Sequence, residues 1–147
     1  MRIYIASSWK NQHAVELITD RLRDCGHEVE SFVEQAVAAE GRGENLKFDV
    51  TAWIASPSGE AKFRYDTKWA TQSDCVIYVG PSGTDAWAEV GAAWAANVPI
   101  LGLWAKGEQA GLMRRMVRWF GDYRELIRAV AVMAGTSKTE LKALATK

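Results

Sequence analysis

A chain of 147 residues can build one domain with a substantial core but not two comfortable ones. Its 18 basic and 18 acidic residues cancel, which gives no ground for a nucleic acid polymer as partner, and no apolar run approaches membrane-spanning length. With 48% hydrophobic and 24% charged residues the composition is that of a soluble globular protein; no signal-peptide pattern opens the chain, so a cytoplasmic location is expected.

Arg2-Ile3-Tyr4-Ile5-Ala6 reads as a strand and Ser7-Ser8-Trp9-Lys10-Asn11 as the turn after it. Ala14, Val15, Leu17, Ile18, Leu22 and Cys25 recur at helical spacing and stop at Gly26, a residue suited to closing a helix. His27 to Val33 alternates as a second strand, which makes the opening a βαβ unit. Glu34 to Ser58 is irregular, with Gly41-Arg42-Gly43, Phe48, Trp53 and Pro57 scattered through it; a short helix or two fits there.

A helix is expected from Ser58 to about Gln72, with Phe63, Trp69 and Ala70 inward. Cys75-Val76-Ile77-Tyr78-Val79 is a buried strand between Asp74 and Gly80-Pro81. The Pro81-Ser82-Gly83 turn then opens a helix to about Asn97, with Ser82 or Thr84 as N-cap. Val98 to Trp104 is a fourth strand, Gly111 to Arg115 a helical turn, Met116 to Phe120 a short edge strand, and Tyr123 to Met133 a helix capped by Asp122. Ser137-Lys138-Thr139-Glu140 has capping-box spacing, so residues 135–147 read as a helical tail on a domain of residues 1–134.

Strands alternating with helices predict an α/β three-layer sandwich with a five-stranded parallel sheet, in the flavodoxin-like order 2-1-3-4-5. In that order the turns after the first and third strands meet at one crevice, where ligands of such sheets bind. Cys25 and Cys75 are expected to be reduced and buried. His13 and His27 have no ligand spacing, the first turn lacks Gly-x-Gly-x-x-Gly, and no Walker lysine is present. Neither a metal nor a cofactor is therefore expected.

The chemistry is carried by carboxylates. Between Ala86 and Ala96 every residue is small or apolar except Glu89, and an acid in such a helix requires a hydrogen bond or a polar cavity. The helix N-terminus is expected to keep Glu89 ionised at neutral pH. Asp85 lies four residues before it, complementing the helix dipole or joining the site; Asp66 is the next candidate and Asp74 an outsider. Ser7, Ser8 and Ser82 cap their helices or bind a sugar hydroxyl or phosphate. Two or three acids around an aromatic pocket, for which the seven tryptophans are ample, suit cleavage of a glycosidic bond.

Ile3-Tyr4-Ile5-Ala6-Ser7-Ser8-Trp9, Asp66 with Asp74 eight residues on, and Pro81-Ser82-Gly83 leading to Glu89-Val90-Gly91 together resemble the nucleoside 2-deoxyribosyltransferase family. The similarity runs across most of the domain, including the Leu112-Met113 turn. The resemblance implies transfer of 2-deoxyribose between nucleobases, with Glu89 as the nucleophile and Asp66 as the acid that assists the departing base. It implies a small-molecule nucleoside or nucleotide as partner, with Tyr4, Ser7, Ser8, Trp9, Ser82, Gly83 and Asp85 lining the pocket. Related 2′-deoxynucleoside 5′-phosphate N-hydrolases, in which serine-rich turns hold the phosphate and water replaces the acceptor base, supply an alternative. A nucleotide-binding module without turnover is a third. The resemblance further implies a homodimer or higher homo-oligomer, with the helix bearing Trp87 and Trp94 as the packing face.

Overall fold

β1 (Arg2–Ala6) is apolar on both faces: Ile3 and Ile5 point to one helical layer, Tyr4 and Ala6 to the other, and all four are buried. Such a strand belongs at the centre of a sheet covered on both sides. In the computed structural model, which describes residues 1–34 and 50–135, β1 lies between β2 (Glu28–Ser31) and β3 (Cys75–Val79). β4 (Ile100–Leu103) and β5 (Arg118–Phe120) complete a parallel sheet in the order 2-1-3-4-5, as the alternation of elements implied. Ile5 is in register with Ser31 on one side and Ile77 on the other, so the ends of β1 and β3 come level.

α1 (Gln12–Asp24) and α5 (Tyr123–Met133) cover one face through Val15, Ile18 and Leu22 and through Leu126, Ala129 and Val130. Gly26, at φ 82, closes α1 in the left-handed conformation that glycine adopts without strain. The short helix α2 (Val50–Ile54) precedes α3 (Pro57–Gln72), which covers the other face together with α4 (Thr84–Ala95). Ser56 caps α3 by accepting the Gly59 N–H at 3.0 Å, with Pro57 in the first turn where its missing N–H costs nothing.

Several local expectations are corrected. Phe63 is 64% exposed, because the inward stripe of α3 is Lys62, Tyr65, Asp66, Trp69 and Ala70, at the spacing of successive turns. Leu17 and Ala14 face outward from α1, and Cys25 is only half-buried, whereas Cys75 is buried; both thiols are free. The N-cap of α4 is Gly83, with no side-chain cap, in place of Ser82 or Thr84. Residues Leu112–Met116 form a 3-10 helix that shortens β5 to Arg118–Phe120, and β4 starts at Ile100. Gly41-Arg42-Gly43, Phe48 and the tail helix expected from Ser137 lie outside the described residues.

Candidate active site

Tyr4 projects from β1 into the layer formed by α3 and α4, where its hydroxyl donates to Asp66 Oδ1 at 3.0 Å. Asp66 also accepts from Lys62, whose Nζ lies 2.8 Å from each carboxylate oxygen, one turn earlier on α3. Glu89 comes from the second turn of α4, whose buried residues Ala86, Val90 and Ala93 fix that face against the sheet. Its Oε2 is buried with no partner among the described residues. β1, α3 and α4 thus bring Tyr4, Asp66 and Glu89 to one place from positions 62 and 23 residues apart.

Burial, and after it the charge of Asp66, pushes the Glu89 carboxyl up to about 8 from an ordinary 4.5; Lys62 and a hydrogen bond from Tyr4 pull the other way. Glu89 is therefore mostly protonated at neutral pH. This corrects the expectation that the helix end keeps it ionised: desolvation outweighs the dipole. Burial and the charges of Glu89 and Asp66 likewise raise the Tyr4 phenol, so it stays a hydrogen-bond donor.

The two turns that close the crevice are pinned to one another. Ser7 Oγ donates to the Val79 carbonyl at 2.8 Å. The Asn11 amide donates to Ser7 Oγ at 3.1 Å, Val79 O at 3.1 Å and Pro81 O at 2.8 Å, tying the turn after β1 to the turn after β3. The Ser82 N–H donates to the Tyr78 hydroxyl at 3.0 Å, which donates in turn to Glu108 at 2.9 Å. A Cβ at Gly80 would stand 2.2 Å from the Glu108 carboxylate and 2.9 Å from the Tyr78 ring, so a larger residue there displaces the Glu108 side chain from Tyr78. Ser7 is thus spent on the fold, while the Ser8 and Ser82 hydroxyls are buried without partners among the described residues.

The rim is aromatic. Trp9, half exposed, packs edge-on against Phe32 at 5.3 Å, and Lys62 Nζ lies 5.7 Å from the Phe32 ring and 5.9 Å from the Tyr65 ring. Trp87 stacks with Tyr78 at 4.9 Å and Trp119 at 6.4 Å. Gly83 and Asp85 are exposed at the start of α4; Asp85 reaches Glu89 only as a weak charge. Asp74 is elsewhere: it accepts the Arg2 N–H at 2.7 Å, at the opposite end of β1. Sequence reasoning passed over Lys62, Asn11, Tyr78 and Glu108. Only Lys62 left a trace, its spacing of four from Asp66.

No protein-family model matches the chain, and no curated protein matches it. Solved structures do. A 2-deoxyribosyltransferase from Bacillus psychrosaccharolyticus superposes with a TM-score of 0.63 at 21% identity, over 86% of this chain and 90% of that one. The CMP N-glycosidase BcmB from Clostridium botulinum gives 0.57 at 20% identity, over 90% and 99%. A conserved protein from Enterococcus faecalis gives 0.64 at 14% identity, over 90% and 98%. The fold is shared with all three. The parallel sheet in the order 2-1-3-4-5, expected from the alternation of strands and helices, is thus the one the chain adopts.

In this frame the site offers a neutralised acid with a free buried oxygen, a phenol that only donates, and a carboxylate held by an ammonium. Such a set can form a bond to carbon through one acid while the other groups hold a leaving group.

Proposed function

We propose that the protein cleaves the N-glycosidic bond of 2′-deoxynucleosides and transfers the deoxyribosyl group to another nucleobase through a covalent ester on Glu89. The observation that carries this reading is the buried, unpartnered Oε2 of Glu89 beside the Tyr4–Asp66 hydrogen bond. An acid in that position is costly for the fold, and the bond from Tyr4 and the charge of Lys62 do not offset its burial. The named activities of two structural neighbours, a 2-deoxyribosyltransferase and a CMP N-glycosidase, point to the same bond.

Glu89 first gives its proton to bulk water; Tyr4 then steadies the carboxylate while one oxygen attacks C1′ of the sugar. The base departs with the electron pair of the broken C1′–N bond, next to Asp66 and Lys62, and an acceptor base attacks the ester in reverse. In this reading Ser7, Ser8, Trp9, Ser82 and Gly83 line the pocket for the sugar and its 5′ end, with Asp85 at its margin. Incubation with deoxyinosine and free adenine, followed by chromatography, is expected to yield deoxyadenosine and hypoxanthine. Incubation with a 2′-fluoro-2′-deoxynucleoside is expected to leave an adduct on Glu89 in the mass of the intact protein. Absence of both a new nucleoside and a released base sinks the proposal.

One observation favours a second reading. α4 starts without a side-chain cap, and the Ser8 and Ser82 hydroxyls beside it have no partner among the described residues. That arrangement suits a 5′-phosphate, so the alternative is hydrolysis of deoxynucleoside monophosphates. Base release that requires the 5′-phosphate and ignores added adenine decides for it.

A further inference from the structure

Lys62 stands inside the site with a role that no sequence motif assigns. Its ammonium donates to both oxygens of Asp66 at 2.8 Å, and Oδ1 also accepts from Tyr4 at 3.0 Å. Two donor groups thus converge on one carboxyl through three hydrogen bonds, so Asp66 serves as an acceptor in this arrangement. The Tyr4 hydroxyl donates to Asp66, and its burial beside Asp66 and Glu89 keeps its proton in place. Glu89 is the nucleophile. It must have shed its proton before it attacks, so among the described residues around the Tyr4–Asp66 pair the group left with a proton to give is the Lys62 ammonium.

Its placement fits that task. An ammonium carries three N–H groups, and two of them face Asp66. Nζ also lies 5.7 Å from the Phe32 ring and 5.9 Å from the Tyr65 ring, against the aromatic wall where a nucleobase would stack. The side chain is 25% exposed, enough to meet a ligand and too little to swing freely in water.

We propose that Lys62 is the general acid for the departing nucleobase and that Asp66 holds and orients it. The inference rests on the glycosidic reading above. As the Glu89 oxygen bonds to C1′, the C1′–N bond breaks and its electron pair goes to the base, which takes one proton from Lys62 Nζ at a ring nitrogen. Lys62 is left as a neutral amine hydrogen-bonded to the Asp66 carboxylate. It regains its proton from the N–H of the incoming base when the ester is attacked, so the cycle balances without another reactant.

The test compares two substrates on the intact protein, 2′-deoxyinosine and N7-methyl-2′-deoxyguanosine, each with free adenine. The methylated base leaves as a neutral molecule and requires no proton. Lys62→Arg keeps the positive charge and the bond to Asp66 but does not release a proton. It is expected to lose about 100-fold or more in kcat/KM on deoxyinosine, and to stay within several-fold of the parent on the methylated substrate, which also shows that the variant is folded. Equal loss on both substrates, or no loss on either, overturns the assignment. A solvent deuterium isotope effect on the parent enzyme needs no variant: it should appear with deoxyinosine and vanish with the methylated substrate, and its absence from both overturns the proposal as well. A parent protein that releases neither base fails the glycosidic reading itself, a separate and recognisable result.

Discussion

Glu89 has a carboxyl held near 8 in the folded protein against an ordinary 4.5, mainly by burial. Below 4.5 the group is protonated in both folded and unfolded chains and favours neither. As pH rises from there the unfolded chain ionises first, so stability declines through the window from 4.5 to about 8 and levels off above it. Glu89→Gln keeps the shape and removes the titration. It should match the parent in urea melts near the lower end and exceed it by a few kcal/mol at the upper end, on the order set by the linkage relation. A parallel pair of pH profiles speaks against the buried acid. Tyr4 acts on the same group: its hydrogen bond lowers the Glu89 value. Tyr4→Phe should move the acid limb of kcat/KM to higher pH and cost about 1 kcal/mol of stability through the lost bond to Asp66. An unmoved limb separates Tyr4 from the nucleophile. The sequence marked Glu89 because a single acid in an apolar helix stands out. It did not show the protonation state, since the balance of burial against helix dipole depends on what α3 and β1 place around it. Lys62 escaped notice because a Lys four residues from an Asp is, on most helices, a solvated surface pair.

At the scale of elements, the crevice is set by two turns that do not belong to the same unit. β1 and β3 end level, and Asn11 joins their turns with bonds to Ser7, Val79 and Pro81. Asn11→Ala leaves the Pro81 carbonyl and the Ser7 hydroxyl short of a donor, a loss of about 1–3 kcal/mol for partly buried groups. Because the turns flank the proposed sugar site, KM should rise more than kcat falls. A variant with unchanged KM and unchanged melting would show that the turns hold their places without it. The strand order was legible: β1 and β3 are apolar runs without alternation, and the later strands are shorter and partly exposed, as edges are. The inward stripe of α3 was not legible in the same way. Hydrophobicity favoured Phe63, whereas the helix turns Lys62 and Asp66 inward because they find each other and Tyr4 there. The Asn11 clamp left no mark at all, since it acts between segments 68 and 70 residues apart.

At the scale of the whole molecule, α4 turns two tryptophans in different directions. Trp87, expected on a packing face, is taken up by Tyr78 and Trp119 within the subunit. Trp94 is 57% exposed near the other end of the helix. Leu112 and Met113, 77% and 66% exposed, sit on the 3-10 helix that contacts α4, so large apolar side chains lie on neighbouring elements. Exposed apolar residues are ordinary on a surface, and a packing face for a second copy would draw on those of adjoining elements. A twofold axis would set the same face of a second copy against it and cover both at once. The homodimer or higher homo-oligomer implied by the sequence resemblance is thus proposed to form through Trp94 rather than Trp87, with the dimer as its simplest form. Sedimentation of the full chain should give a dimer, and Trp94→Glu should give a monomer, because each dimer would otherwise bury two carboxylates face to face. The melting temperature of the parent should rise with protein concentration and that of Trp94→Glu should not, as mass action requires when assembly and folding are linked. A parent chain that sediments as a monomer, with a concentration-independent melt, removes the interface and leaves Trp94 as an exposed residue on a self-sufficient domain.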